Sequence, residues 1–396
     1  MQTLSEFYEF MDEVHTVRHA IVGYYLMQAH NPQHVRSLEQ ALDALDQLPG
    51  EGVEKRLRAG DEEVTLSVGY ERGELEKDIF FLGHDDAAFG DWLASRHDPE
   101  ESFREQTDAL FEFLRGVEVR SFITDRDGTV NNYCGRYRSS HQSVWNAVYL
   151  TRFVRSIAGE PLVLTSAPLM NPGLLELSAM PAGSTNYAGS KGREYHSRKG
   201  NKGAMELTRA QSEALESLNE RLRAMLGRGE YRAFALVGSG LQYKFGQTTV
   251  ARQDIHDSIP AERSERFLDD VRGLVDELDP HGSTFSVEDT GKDIEITLTL
   301  EGGREFTKGE GVSFLNDKLG LGLGEVPVLV CGDTASDVPM VETAVARGGQ
   351  ERTAAVFVTA DESLRERVRS HCARSHFVDA PDVLVAALYR LARERI

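Results

Sequence analysis

The 396-residue sequence predicts an α/β protein: a Rossmann-like core on a parallel sheet, an α+β cap inserted into that core, and a mostly helical N-terminal region. Three observations lead there. After Gly116, short apolar runs alternate with amphipathic stretches, the grammar of a parallel sheet with helices on its faces. That grammar breaks off near Gly200 and returns near Lys308, so the core comes in two pieces around an insertion. The chain is also longer than the roughly 250–300 residues at which single cores stop growing. The expected parts are residues 1–115 (helical), 116–199 (core), 200–304 (cap) and 305–396 (core).

In the first part, SEFYEFMDEVHTVRHAIVGYYLMQ, HVRSLEQALDALDQL and EESFREQTDALFEFLRG repeat apolar residues at three and four, as helices do. DEEVTLSVGY reads as one strand and GHDDAAFGD as loop. His15 and His19 lie four apart on a helix, a spacing open to a metal, but Arg18 beside them and the lack of a third ligand favour a solvated or packing face. Nothing in this region forms a catalytic constellation. It could pack on the core, form a homodimer, or dock the synthase that makes the substrate.

In the core, VEVRSFITD is a strand ending in Asp125, HQSVWNAVYLTRFVRSIAG a helix and PLVLTSAP a second strand. PVLVCGD and AAVFVTA add strands after the insertion, and VLVAALYRLARER closes the chain as a helix. The insertion carries helices in LTRAQSEALESLNERLRAML and ERSERFLDDVRGLVDEL, and strands in RAFALVGSG, QTTVARQ and DIEITLTL. GSKGREYHSRKGNKG, rich in Lys, Arg and Gly, reads as a solvated hinge into the cap, or else as a mobile positive loop beside the active site.

Composition narrows the function. Hydrophobic residues at 40% and charged ones at 27% fit a globular protein rather than a disordered one. A formal charge of -20 argues against nucleic acid or an anionic membrane as partner, because both are bound by positive fields. Cys134, Cys331 and Cys372 have no CxxC spacing, so neither a disulfide framework nor a zinc site is suggested, and the compartment reads as reducing. The N-terminal stretch is acidic within its first dozen residues, unlike a signal peptide, and no run approaches the ~20 apolar residues of a membrane helix. The expected location is cytoplasmic.

Ligands of open α/β sheets gather at the carboxyl ends of the strands. There the first strand delivers Asp125 and Asp127, the second Thr165 and Ser166, and PVLVCGDTASDVPM delivers Asp333 and Asp337; Lys308 opens a helix just before that last strand. Two acids one residue apart at an apolar strand tip repel each other and need a cation or a proton. Hard oxygen ligands with open water positions suit Mg²⁺. Gly128 and Thr129 place a turn where backbone amides can approach a phosphate. Taken singly, each residue has an ordinary reading, a surface lysine or a helix-capping acid; together they fall into four short motifs that converge on one edge.

DRDGT at 125–129, LVLTS, TKG and GDTASD at 332–337, in that order, resemble the four motifs of the haloacid-dehalogenase-type phosphatases. The large insertion is similar to the cap of the sugar-phosphatase branch, which includes trehalose-6-phosphate phosphatases. FITDRDGTVNNYCGRY, LTSAPL, GSGLQYKFGQTTVARQDI and CGDTASDVPM resemble the glucosylglycerol 3-phosphate phosphatase family, whose members make a compatible solute for salt tolerance.

The resemblance implies a Mg²⁺-dependent phosphomonoester hydrolase acting on a sugar or polyol phosphate. Asp125 is then the nucleophile that forms an aspartyl-phosphate, and Asp127 the acid and later the base. Thr165 donates to the phosphate and Lys308 offsets its charge. Asp125, the Asp127 carbonyl, Asp333 and Asp337 form the metal set, Asp337 directly or through water. Lys244, Arg252, Gln253, Asp254, Glu288 and Asp289 on the cap are expected to bind the leaving group. Two other readings stand beside glucosylglycerol 3-phosphate: trehalose 6-phosphate or another glycosyl phosphate as substrate, and a non-catalytic regulator that binds a sugar phosphate.

Overall fold

The computed structural model describes residues 1–29, 31–299 and 306–395. The N-terminal region runs α1 (Leu4–Leu26), α2 (Pro32–Asp46), β1 (Gly50–Glu51), β2 (Glu54–Ala59), β3 (Glu62–Ser67), α3 (Gly69–Gly83), α4 (Asp86–Ser95) and α5 (Glu100–Arg115). The core opens with β4 (Ser121–Thr124), α6 (Val144–Ser156), β5 (Pro161–Leu164), α7 (Leu174–Leu177), β6 (Asn186–Gly189), β7 (Glu194–His196) and β8 (Lys202–Ala204). The cap holds α8 (Arg209–Leu226), β9 (Leu241–Lys244), β10 (Gln247–Ala251), α9 (Ala261–Leu278), β11 (Phe285–Asp289) and β12 (Asp293–Leu298). The core then resumes with α10 (Lys308–Leu319), β13 (Val328–Gly332), α11 (Val338–Gly348), β14 (Thr353–Val358), α12 (Glu362–His371), β15 (Ser375–Val378) and α13 (Pro381–Arg395).

The core sheet has the order β15-β14-β13-β4-β5-β6-β7-β8, parallel through β6 and antiparallel at its last two pairings. Its inner strands are buried at every residue because helices cover both faces, which is why SFIT, PLVL and VLVCG read as unbroken apolar runs. Side chains alternate between the two faces. Phe122 and Leu329 pack toward α5, α6 and α13, whereas Ile123 and Val330 pack toward α10, α11 and α12.

The expected two-part core with an inserted α+β cap and a largely helical start matches this architecture. Several element readings need correction. EKRLRA, unread as a strand, is β2; its pattern alternates, with Lys55, Leu57 and Ala59 inward and charged partners outward. GHDDAAFGD is mostly the end of α3 and the start of α4, which Asp85 caps through the Ala88 amide. RAFALVGSG begins as a 3-10 helix over Gly229–Ala235 that buries Tyr231 and Phe234 three apart, a helical rather than a strand spacing. The supposed hinge at 189–203 holds β7 and β8 of the core sheet, so the cap's own elements begin at Arg209. The expected boundary at 304–305 lies outside the described residues.

The N-terminal region packs on the core, through α1 and α3 against α6 and through α5 against α13. It also touches the cap: Tyr8 Oη donates to Leu236 O at 2.6 Å and Ser258 Oγ to Thr65 O at 3.1 Å. One continuous apolar cluster runs from α1 through α6 to the cap's Phe234 and Phe267. Among the described residues, no helix is long and apolar enough to cross a membrane.

Candidate active site

The site forms where β4 and β13, adjacent and in register, end together. The Asp125 amide donates to Cys331 O at 3.0 Å, which sets Asp125 beside the loop that follows β13. α10 begins at the same edge, its first turn fixed by a Thr307–Glu310 capping box, so Lys308 at its first position points into the strand tips. Gly311 allows this approach, since a Cβ there would collide with Lys191 O of the turn after β6.

Lys308 Nζ donates to Asp125 Oδ1 at 2.6 Å and to Asp337 Oδ1 at 2.5 Å, with all three side chains buried. Asp337 Oδ2 accepts from the Asp333 and Thr334 amides at 3.1 and 3.0 Å and from Thr334 Oγ1. Asp333 Oδ1 accepts from Thr129 Oγ1 at 3.1 Å. Gly128 has φ +85°, and a Cβ on it would fall on the Asp333 carboxylate. The glycine is therefore demanded both by the turn and by the approach of Asp333.

Asp125, Asp333 and Asp337 each place a carboxylate oxygen within 4.8 Å of the others. Burial pushes the Asp125 carboxyl up to about 7, with Lys308 opposing and Asp337 adding to the rise. Burial, then Asp125 and Asp337, push Asp333 up to about 8. Burial pulls Lys308 down, but the two acids it bridges outweigh that and hold it above the ordinary lysine value. Three clustered acids, Asp125 and Asp337 buried and Asp333 half-buried, against one lysine fit a hard divalent cation. Among the described residues, the second oxygens of Asp125 and Asp333 accept no hydrogen bond, so these two acids have an oxygen to offer. Asp337 belongs to the same acid set, and its two oxygens also accept from Lys308 Nζ and from the Asp333 and Thr334 amides. Asp337 thus anchors Lys308 and the 333–334 backbone as well as adding a carboxylate to the set.

Asp127 lies on the other side of the turn. Its Oδ1 accepts from Arg126 Nη1 at 2.6 Å and from Ser140 Oγ at 2.8 Å. Thr165 follows β5 at the same edge; its hydroxyl accepts from the Ala167 amide at 3.2 Å, and Ser166 beside it is half-buried. Between core and cap is a cleft of about 210 Å³, lined by Asp127, Tyr133 and Tyr137 from the core and by Gln253, Asp254, Lys292 and Asp293 from the cap.

The cap expectations divide. Gln253 and Asp254 line the cleft, and they also hold its rim: Gln253 Nε2 donates to Ile259 O, and Asp254 Oδ1 accepts from the His256 and Ser258 amides. Lys244, Arg252, Glu288 and Asp289 are not among the residues lining it. Arg252 is turned toward α9 and β11, where it bonds Ser264, Glu265 and Asp289, and Glu288 is exposed opposite Glu295. Lys244 is buried at the end of β9. Sequence reasoning passed over Arg126, Ser140, Tyr133, Lys292 and Asp293. Arg126 carried a signal, as a cation between two motif acids; Ser140 carried none.

Comparison with known proteins places the chain. Residues 122–384 match the family model "Trehalose-6-phosphate phosphatase, C-terminal", and residues 3–92 match "Trehalose-6-phosphate phosphatase N-terminal helical bundle domain". A trehalose-phosphatase of Brugia malayi is 31% identical over 431 residues, covering 100% of this chain and 87% of that protein. An alpha,alpha-trehalose-phosphate synthase [UDP-forming] 2 of Caenorhabditis elegans is 32% identical over 98% of this chain but only 33% of its own length, so the chain spans about a third of that relative. Among solved structures, a trehalose-6-phosphate phosphatase of Aspergillus fumigatus aligns with a TM-score of 0.42 at 15% identity, over 72% of this chain and 97% of that one. On the two family models and the full-length relative, the chain belongs to the trehalose-6-phosphate phosphatase family.

Proposed function

We propose that this protein is a phosphomonoester hydrolase that releases phosphate from trehalose 6-phosphate. The observation that carries the reading is the Lys308 bridge between Asp125 and Asp337, beside Asp333, with Asp127 of the same turn lining a cleft between core and cap. Family membership favours trehalose 6-phosphate over the glucosylglycerol 3-phosphate suggested by the sequence wording. The phosphoryl-handling residues touch only the phosphate, so they do not by themselves separate the two.

Asp125 attacks phosphorus in line with the sugar oxygen, whose bond breaks as the aspartyl-phosphate forms. Asp127 gives its proton to the departing oxygen, then takes one from the water that attacks the acyl-phosphate and restores Asp125. Lys308 offsets charge on the non-bridging oxygens, and Asp337 fixes where its ammonium sits. Asp125 and Asp333, with the Asp127 carbonyl and with Asp337 directly or through water, would hold a Mg²⁺, which would further neutralise those oxygens. The cap excludes water and presents Gln253, Asp254, Lys292 and Asp293 to sugar hydroxyls.

The test is phosphate release by the purified protein with Mg²⁺ over a panel of trehalose 6-phosphate, glucosylglycerol 3-phosphate, glucose 6-phosphate and sucrose 6-phosphate. The expected result is the highest kcat/KM on trehalose 6-phosphate. A preference for glucosylglycerol 3-phosphate would reverse the substrate assignment, and no turnover of any ester would favour a binding-only regulator.

A further inference from the structure

α3 turns a charged face inward. Glu71, Glu74 and Asp78 are buried on it, and each grips the segment between the catalytic turn and α6. Asp78 Oδ1 accepts from the Val144 and Trp145 amides at the start of α6, with Arg18 on its other oxygen at 2.7 Å. Glu71 accepts from Ser139 Oγ at 2.6 Å and Arg136 Nη2 at 2.7 Å. Tyr70, beside Glu71, makes the contact that reaches furthest into the site. Its hydroxyl donates to His141 O at 2.9 Å and accepts from Asn131 Nδ2 at 3.0 Å.

Those two partners belong to the two segments that meet at Asp127, where Asn131 Nδ2 also approaches Ser140 Oγ at 3.4 Å. Asn131 ends the catalytic turn: its carbonyl accepts from the Gly128 amide at 2.8 Å, and its amide donates back to Arg126 O at 2.9 Å. His141 follows Ser140, whose hydroxyl donates to Asp127 Oδ1 and whose carbonyl accepts from Arg126 Nη2. Asp127 itself is buried only in part, its side chain 22% exposed, so its direction depends on Ser140 and Arg126. If the turn and the Ser140 segment drift apart, that carboxyl loses its aim.

We propose that Tyr70 is a positioning residue for Asp127: one hydroxyl of the N-terminal region ties the end of the catalytic turn to the segment that delivers Ser140. The helical region thereby completes the proton-transfer site instead of merely covering the core. The inference rests on Asp127 as the acid of the proposed reaction, and its test separates the two claims.

Full-length Tyr70→Phe keeps the ring and removes the hydroxyl. Its kcat/KM is compared with wild type on the best sugar phosphate of the panel and on 4-nitrophenyl phosphate, whose leaving group departs with little need of a proton. kcat/KM reports the steps through phosphoryl transfer to Asp125, so loss of the acid appears there as dependence on the leaving group. The expected loss is about tenfold or more on the sugar phosphate and within about twofold on the aryl ester. Ser140→Ala should give the same pattern, and the double variant should be no worse than the worse single one. Equal losses on both substrates, no loss on the sugar phosphate, or additive losses in the double variant would overturn the proposal. If wild type cleaves no ester, the functional reading fails, and a crystal structure of Tyr70→Phe decides the positioning claim alone. An Asp127 still hydrogen-bonded to Ser140 refutes it; an Asp127 released from Ser140 upholds it.

Discussion

Lys308 at the strand tips and Lys77 at the junction of α3 with α13 make the same kind of contact, an ammonium shared by two buried acids. Lys308 lies 2.6 and 2.5 Å from Asp125 and Asp337; Lys77 lies 2.8 and 2.7 Å from Glu74 and Asp382. The surroundings differ. Asp382 also accepts from Asn132 Nδ2 at 2.8 Å and faces His97 Nε2 at 3.3 Å. Burial alone would raise it, but Lys77, His97 and Asn132 outweigh burial and hold it well below the usual carboxylate range. Around Lys308 a third acid, Asp333, stands where the other cluster has Asn132 and His97, and Asp125 is pushed up to about 7. The Lys77 cluster is saturated and serves as a joint. The Lys308 cluster leaves negative charge unmatched, which is the condition for holding a cation and keeping a nucleophile poised.

The same substitution in each cluster breaks or sharpens that contrast. Asp125→Asn should lower kcat for phosphate release about a thousandfold or more, worth about 4 kcal/mol in the barrier, because the attacking oxygen is gone. It should not lower the thermal midpoint of the Mg²⁺-free protein at pH 8. The folded value of Asp125 lies above its unfolded one, so the stability linked to its proton is fully present below about pH 4 and lost as pH rises through about 7. Removing the ionisable group removes that loss. Asp382→Asn should leave the phosphoryl residues in place yet destabilise the fold by about 3 kcal/mol, read from urea unfolding, since it breaks a buried pair and strands Lys77. For Asp382 the sign is opposite: its contribution is present above about pH 4 and is lost as pH falls through its lowered folded value. Matching stability losses in the two variants would mean that the clusters are alike after all.

The two clusters also differ in how plainly the sequence states them. Asp125, Asp127, Lys308 and Asp333 stand at the ends of apolar strands or at a helix start, so alternation of strand and helix was enough to place them. Glu71, Glu74 and Asp78 sit on the buried face of α3, and there the charges remove the apolar period by which a helix is read. β2 was hidden in the same way, because EKRLRA turns a lysine inward; Lys55 Nζ is satisfied by Asp46 O at 2.9 Å and Leu48 O at 3.3 Å. On the cap, the polar residues of β10 and β11 were visible but their facing was not. Arg252 and Asp289 pair with each other at 2.7 Å instead of turning to the cleft, and only the register of the sheet and the position of α9 decide that.

The smallest expected effect concerns the cation itself. Asp125 and Asp333, raised to about 7 and about 8, hold protons near neutral pH that a hard cation must displace before both oxygens can ligate. Mg²⁺ affinity should therefore fall as pH falls through that window, by about tenfold or more between pH 8 and pH 6, which is about 1.4 kcal/mol at the lower limit. Titration calorimetry in two buffers of different ionisation enthalpy should find protons released on binding at pH 7 and fewer at pH 9. The Lys77 cluster supplies the control: Asp382→Asn should leave both the affinity and the proton count unchanged, because that cluster holds no proton for the cation to displace. A pH-independent affinity, or no proton release at pH 7, would mean that the charge at the strand tips is already balanced without the metal, and the contrast between the two lysines would fall with it.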